Sequence, residues 1–214
     1  MTTENERRVH VQGTADAQMG TNSYLVEDEE TRDAVVIDAN LEPQLVIDLV
    51  RERGCTVRAI LLTHTDFDHI AGLGALREAF GDVPIAVHAD EREMLTEGTP
   101  LRREFAHPGR QRFDNVDTLT PGEAYTAGSL TFEVLHTPGH SPGGVTLVLG
   151  DTLFTGDALF AGGIGRYDFA NSDGQALLRG IREQLLSRPD ESVVLPGHGP
   201  SSTIGQERRA NPFL

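Results

Sequence analysis

From Ala34 onward the chain alternates short apolar runs with amphipathic ones, the pattern of a layered α/β arrangement. Residues 34–37 read as a buried strand. Residues 42–53 then place Leu45, Leu49 and Val50 at helical spacing and stop before Gly54, a residue type that closes helices. A strand is expected over 58–62, a helix over 70–80, a strand over 85–87 and a short helix over 90–95. Residues 97–123 mix Arg, Pro, Gly and Asp without a period, which predicts a long loop bordering a pocket. Strand patterns return at 130–135, where apolar and polar positions alternate, and at 145–149 and 152–155. Residues 175–186 carry Leu177, Leu178, Ile181, Leu185 and Leu186 along one helical stripe, and 193–195 read as a last buried strand. No linker-like stretch interrupts this order, so one domain over residues 1–214 is expected.

Charge narrows the range of partners. All 18 basic residues are Arg, against 33 Asp and Glu, for a net charge of −15. A surface of that sign repels phosphate backbones and anionic lipid, which speaks against nucleic acid or a membrane as partner and leaves a small-molecule substrate. The absence of Lys is read either as the mark of a GC-rich genome or as the acidic surface of a halophilic protein. Cys55 is the only cysteine, so neither an internal disulfide nor a thiolate metal cluster can form. Residues 1–10 are polar, without the apolar segment of a secretory signal, and no run approaches ~18 apolar residues; a cytoplasmic location is the expectation.

The candidate chemistry is concentrated after the strand at 58–62. The run THTDFDH from Thr63 to His69 places His64, Asp66, Asp68 and His69 within six residues. In an extended segment His64 and Asp66 face one side, and the turn into the next helix re-aims Asp68 and His69 across the same cavity. His140 in HTPGHSPGG, Asp157 in TGDALF and His198 in LPGHGP each follow a strand and sit beside Gly or Pro, where a loop delivers a side chain to the rim of a sheet. Imidazole with carboxylate suits zinc, iron or manganese, and the lack of thiolate argues for an open catalytic site rather than a closed structural one. A cation so held lowers the pKa of water towards ~7, and a pair ~3.5–4 Å apart can also clamp a substrate oxygen.

On these motifs the chain resembles the metallo-β-lactamase superfamily, whose usual first motif is H-x-H-x-D-H followed by separate His, Asp and His ligands. GDALFAGGIGRYDF and the ending ERRANPFL make it similar to the short hydroxyacylglutathione hydrolases of glyoxalase II type. The resemblance implies a four-layer αββα sandwich, two mixed sheets flanked by helices. It implies that His64, Asp66 and His140 serve one metal, that Asp68, His69 and His198 serve a second, and that Asp157 bridges them. Asp68 and Asp157 are then the catalytic carboxylates, with one or two Zn2+ per chain. Asp66 stands where the family usually has His; the added charge reduces Lewis acidity and favours Fe2+ or Mn2+. Arg166 and Tyr167, just beyond Asp157, are the expected substrate contacts.

The activity implied is a hydrolase of acyl thioesters similar to S-lactoylglutathione, with metal-bound hydroxide attacking the carbonyl. The C-terminal helical domain by which longer glyoxalase II enzymes grip glutathione has no counterpart, which points to a broader or different thioester. Three alternatives stay open: a persulfide dioxygenase holding a single iron on His64, His140 and Asp157, a β-lactam hydrolase, and a binding module with a damaged site. His10, His88, His107 and His136 are read as ordinary surface or core histidines, with His88 and His136 near enough to the motifs to orient a ligand. Asp38 either hydrogen-bonds a metal-binding imidazole or serves the following helix entry. The glycines from Gly139 to Gly165 match no phosphate-binding spacing and are assigned to turns.

Overall fold

A computed structural model describes residues 8–99 and 112–214. Its strands are β1 (Val9–Ala15), β2 (Asn22–Asp28), β3 (Asp33–Ile37), β4 (Thr56–Leu61), β5 (Ile85–His88), β6 (Val116–Leu119), β7 (Ala124–Ala127), β8 (Leu130–His136), β9 (Val145–Leu149), β10 (Thr152–Gly156), β11 (Leu159–Phe160), β12 (Gly163–Ile164), β13 (Val193–Pro196) and β14 (Ser202–Thr203). The helices are α1 (Pro43–Arg53), α2 (Phe67–Ile70), α3 (Leu73–Phe80), α4 (Arg92–Thr96), α5 (Gly174–Gly180) and α6 (Ile204–Ala210). The first sheet runs β1-β2-β3-β4-β5-β6 and the second β14-β13-β10-β9-β8-β7, while β11 and β12 form a small hairpin. Both large sheets are mixed: β3, β4, β5 and β6 pair in parallel, as do β10 and β13, and the remaining pairs are antiparallel.

The period of two in the strands explains the layers. In β2 and β3, Leu25, Ala34 and Val36 face α1 and α3, where Val46, Ile47, Val50, Leu73 and Leu76 complete one core. Their neighbours Val26, Val35 and Ile37 face the other way, against Leu130, Phe132, Val134, Leu147 and Phe154 of the second sheet. On that sheet's outer side Leu135, Val148 and Leu153 pack under Leu177, Ile181, Leu185 and Ile204. The result is the expected αββα sandwich. Each fully buried aliphatic or Phe side chain contributes ~1.5–3 kcal/mol, against ~0–1 kcal/mol for an exposed ion pair. The fold is therefore held by these three apolar layers rather than by its many surface charges.

Local signals set the helix ends. Pro43 occupies the first turn of α1, and Gly54 closes it at φ 64 with its N–H on the carbonyls of Val50 and Arg51. Asp173 caps α5 by accepting from the amides of Gln175 and Ala176.

Several expectations are corrected. The stripe of α1 is Val46, Ile47 and Val50, leaving Leu45 exposed. The helix expected over 70–80 is two, α2 and α3, broken at Gly72, where a Cβ would lie 2.6 Å from the Asn40 carbonyl. The helix expected over 175–186 passes from α5 into a π-helical turn, Ile181–Leu185. Within the loop expected over 97–123, β6 pairs in parallel with β5; residues 100–111, including His107, lie outside the described residues. The strands β1 and β2, preceding the first recognisable pattern, complete the first sheet. No helix among the described residues is long and apolar enough to cross a membrane.

Candidate metal centre

The expected donors are brought to one place because the strands that precede them end together. Asp38 follows β3, His64 follows β4, His140 follows β8, Asp157 follows β10 and His198 follows β13. Backbone bonds lock these ends across the two sheets: Val145 N–H donates to Thr63 O, Asn22 N–H to Gly197 O, and Gly197 N–H to Gly156 O. The Asn22 amide and the Tyr24 hydroxyl both donate to Pro196 O, fixing the turn that carries His198.

Three groups of donors could each hold a cation, their ligating atoms within 4.8 Å of one another: His64, Asp66 and His140; His64, His69 and Asp157; and Asp68, His69 and His198. Asp157 joins them. Its Oδ1 lies 3.3 Å from His69 Nε2, and its Oδ2 lies 3.5 Å from His198 Nε2 and 3.6 Å from His140 Nε2. Asp66 Oδ2 lies 2.9 Å from His140 Nε2 and 3.8 Å from His64 Nε2, so Asp66 is inside the cluster despite being a carboxylate at that position. Asp68 Oδ2 stands 3.2 Å from His198 Nε2 and 3.6 Å from His69 Nε2.

The surroundings fix which ring nitrogen faces inward. The Thr63 hydroxyl donates its one proton to Asp38 Oδ2, so it accepts from His64 Nδ1 at 3.0 Å. The Arg166 carbonyl, an acceptor only, receives His140 Nδ1 at 2.7 Å, and Asp38 Oδ2 receives His69 Nδ1 at 2.9 Å. With protons on Nδ1, the Nε2 atoms are directed to the common centre, the arrangement of ligating imidazoles. Thr21 donates to Asp68 Oδ2 at 2.6 Å and orients that carboxylate.

Charge is unevenly balanced. Burial, together with the neighbouring His69, pushes His64 down to about 4, leaving it neutral with a lone pair on Nε2. Burial opposes protonation of His69 and His198 as well, but the carboxylates of Asp157 and Asp38 hold His69 well above its usual range, and those of Asp157 and Asp68 raise His198 to about 10. Burial would raise Asp68 and Asp157, yet hydrogen bonds and the nearby imidazoles hold both below the usual carboxylate range. Buried Nε2 of His64, Nε2 of His69 and Oδ1 of Asp157 have no hydrogen-bond partner. Leaving such groups unsatisfied costs ~1–3 kcal/mol each, and a cation at their centre removes that cost. Three orphaned donors facing one point, with oxygen and nitrogen ligands only, fit a divalent metal.

Arg166 pairs with Asp168 and lies over the Phe169 ring at 4.3 Å, with its guanidinium exposed. Tyr167 is half-exposed and lines an open cleft of about 520 Å³ with Ser172, Asp173, Gly174, Gln175 and Leu178. One residue lining the cleft, Ser172, donates to the carbonyl of His140. His88 and His136 stack on each other, centroids 4.7 Å apart, and His136 Nε2 meets Pro142 O. Asp38 serves His69, and Glu42 rather than Asp38 precedes α1. The ERRANPFL ending acquires a role too: buried Glu207 accepts from Gly162 N–H and from the Asn211 amide, tying the β11–β12 hairpin to α6, and Phe160 of that hairpin meets the His198 ring edge-on. Sequence reasoning passed over Thr21, which carries no motif and reaches Asp68 only through the fold.

The family model of the metallo-beta-lactamase superfamily matches residues 17–198, from the turn before Thr21 to the last of the donors. Hydroxyacylglutathione hydrolase GloC of Haemophilus influenzae is 36% identical over 202 residues, 90% of this chain and 92% of the relative. Among solved structures, the BLEG-1 B3 metallo-beta-lactamase is 36% identical with a TM-score of 0.88, covering 96% of this chain and 99% of that one. TTHA1623 in a di-iron-bound form is 38% identical with a TM-score of 0.81, covering 95% and 100%. Donor order, sheet order and matched span agree, and the chain belongs to the metallo-β-lactamase superfamily, whose members are hydrolases binding one or two metal ions.

Proposed function

We propose that this protein hydrolyses acyl thioesters of the S-lactoylglutathione class, with His64, Asp66 and His140 holding one divalent cation, Asp68, His69 and His198 a second, and Asp157 shared between them. The observation that supports this most is the position of Asp157, whose two oxygens lie within 3.6 Å of His69, His140 and His198. When bound, the cations would supply Lewis acidity and water of lowered pKa; zinc is the first candidate, with iron or manganese favoured by the extra carboxylate of Asp66.

The chain's own residues do the rest. Thr21 donates to Oδ2 of Asp68, the oxygen that faces His69 and His198, and so fixes that carboxylate within the second donor group. Asp38 and Thr63 hold His69 and His64 in one tautomer. The cleft beside Tyr167 receives the acyl or thiol tail, and Arg166 exchanges Asp168 for a substrate carboxylate. The likeness to GloC supports the thioester class, and the likeness to BLEG-1 makes a β-lactam the necessary comparison.

The test is elemental analysis of the purified protein beside an activity panel of a lactoyl thioester, a glutathione persulfide with oxygen uptake, and a β-lactam. Metal-dependent thioester cleavage well above the other two is expected. Oxygen uptake with persulfide and no thioester cleavage would replace this reading by the dioxygenase, and a protein that takes up no metal would end both.

A further inference from the structure

Glu91 is a buried acidic residue outside the donor set, and among the described residues no Arg pairs with it. It is 1% exposed, on the 3-10 turn Ala89–Glu91 that follows β5. Its partners are all neutral donors on two other loops. Oε2 accepts from the Thr65 amide at 2.9 Å and from the Thr65 hydroxyl at 2.5 Å, and Oε1 accepts from the Gly143 amide at 3.0 Å. Thr65 is the residue between His64 and Asp66, and Gly143 lies three residues after His140. One carboxylate therefore ties the loop carrying two of the first cation's donors to the loop carrying the third.

The approach is close by construction. A Cβ on Gly143 would lie 2.5 Å from Glu91 Cγ and 2.8 Å from His88 Nδ1, so only glycine lets that amide reach the carboxylate. The shape of the acceptor matters as much as its charge. Two oxygens accept three donors, and no neutral side chain of that size can do this: a glutamine would turn its NH2 towards either Gly143 or Thr65 and set donor against donor. The second donor group is served by other residues, Asp38 for His69 and Thr21 for Asp68.

We propose that Glu91 is a positioning residue for the first cation site, holding His64, Asp66 and His140 in register while leaving the Asp68, His69 and His198 site untouched. This rests on the reading that those donors bind metal, and the experiment separates the two. Stepwise zinc affinities are measured by competition with a chromophoric chelator for wild type, Glu91→Gln and a control, Glu27→Gln. Glu27 is equally buried but pairs with Arg53 at the far end of β2, so its loss reports general destabilisation. In Glu91→Gln one of the two affinities should fall about 10–100-fold, the range for residues that orient ligands, and the other by less than about twofold. Glu27→Gln should leave both unchanged while lowering the melting temperature.

If Glu91→Gln does not fold, Thr65→Val removes the hydroxyl donor alone, and a smaller loss at the same step is expected. Unchanged affinities in a folded variant, or equal loss at both sites, overturn the proposal; zinc binding by wild type with no effect of Glu91→Gln overturns it alone, and no binding by wild type overturns the metal reading with it.

Discussion

Asp38 Oδ2 lies 2.9 Å from Nδ1 of His69, one buried side chain against another across 31 residues of sequence. The same carboxylate accepts from the amide and the hydroxyl of Thr63, at 2.8 Å each, so it governs the tautomers of His69 directly and of His64 through Thr63. Asp38 has φ 58, a left-handed conformation that among residues with a side chain suits Asp and Asn best.

Asp38→Asn tests that relationship without disturbing the backbone, because Asn accepts the same φ. The amide has one acceptor oxygen for three donors and leaves a buried N–H facing the Thr63 amide, a cost of ~1–3 kcal/mol. The fold should survive with a lowered melting temperature, and zinc affinity at the site containing His69 should fall about 10–100-fold. Chelator competition and calorimetry read the two effects; an unchanged affinity would mean that His69 needs no such partner.

Asp157→Ala is the severest test of the centre. The variant should unfold in one cooperative transition, since the three apolar layers keep all their side chains, yet turnover should vanish and the metal content per chain should drop. Asp157 is the charge that faces His69 and His198 together, and without it neither donor group keeps its shared oxygen. Wild-type rates in a folded Asp157→Ala would remove the assignment of this site.

The donors were legible in advance because each follows an apolar strand, and a strand end in a sandwich has only one rim to occupy. Less legible features depend on contacts distant in sequence. Thr21 looks like any loop threonine until β2 is paired into the first sheet. The break at Gly72 is set by Asn40 and Pro43 packing against it, which no helical period reports. The stripe of α1 differs from the expected one because Leu45 lies about 100° from Val46 on the helix, and only the sheet beneath chooses between them. Strand β6 hides in a polar stretch because Asp117 and Thr118 face outward and only Val116 and Leu119 are buried. Glu91 lies in the stretch expected as a short helix, and its burial follows from the two loops that close over it.

Metal uptake should depend on pH with a definite sign. A cation needs the Nε2 lone pairs, and in the metal-free protein His69 is held well above its usual range and His198 at about 10. At neutral pH both must lose protons on binding, so affinity should strengthen as pH rises and weaken as it falls, by about tenfold per pH unit for each proton displaced. His64, at about 4, adds no competition above that pH. For folding of the metal-free chain the raised His198 acts in the opposite direction: its contribution is complete below the ordinary imidazole value of 6.5 and fades as pH rises towards about 10. Zinc titration in buffers of different ionisation enthalpy counts the protons released; an affinity independent of pH from 6 to 9 would contradict the protonated centre.

Gly156, the last residue of β10, separates backbone strain from a contact next to the site. It has φ 48, and a Cβ there would lie 2.5 Å from Thr63 Oγ1 and 2.6 Å from Thr63 Cβ. Gly54, closing α1 at φ 64, has nothing within 4 Å of the same added atom. Alanine at either position takes on the left-handed strain of ~1–2 kcal/mol, which for a chain of this size lowers the melting temperature by about 2–8 °C. Only at Gly156 must a neighbour also move, and that neighbour is the hydroxyl between Asp38 and His64. Gly54→Ala should therefore lose stability alone, whereas Gly156→Ala should lose more stability and weaken zinc at the site containing His64. Equal melting temperatures and equal zinc affinities in the two variants would show that Thr63 yields without consequence, and that its bond to His64 does not orient the ring.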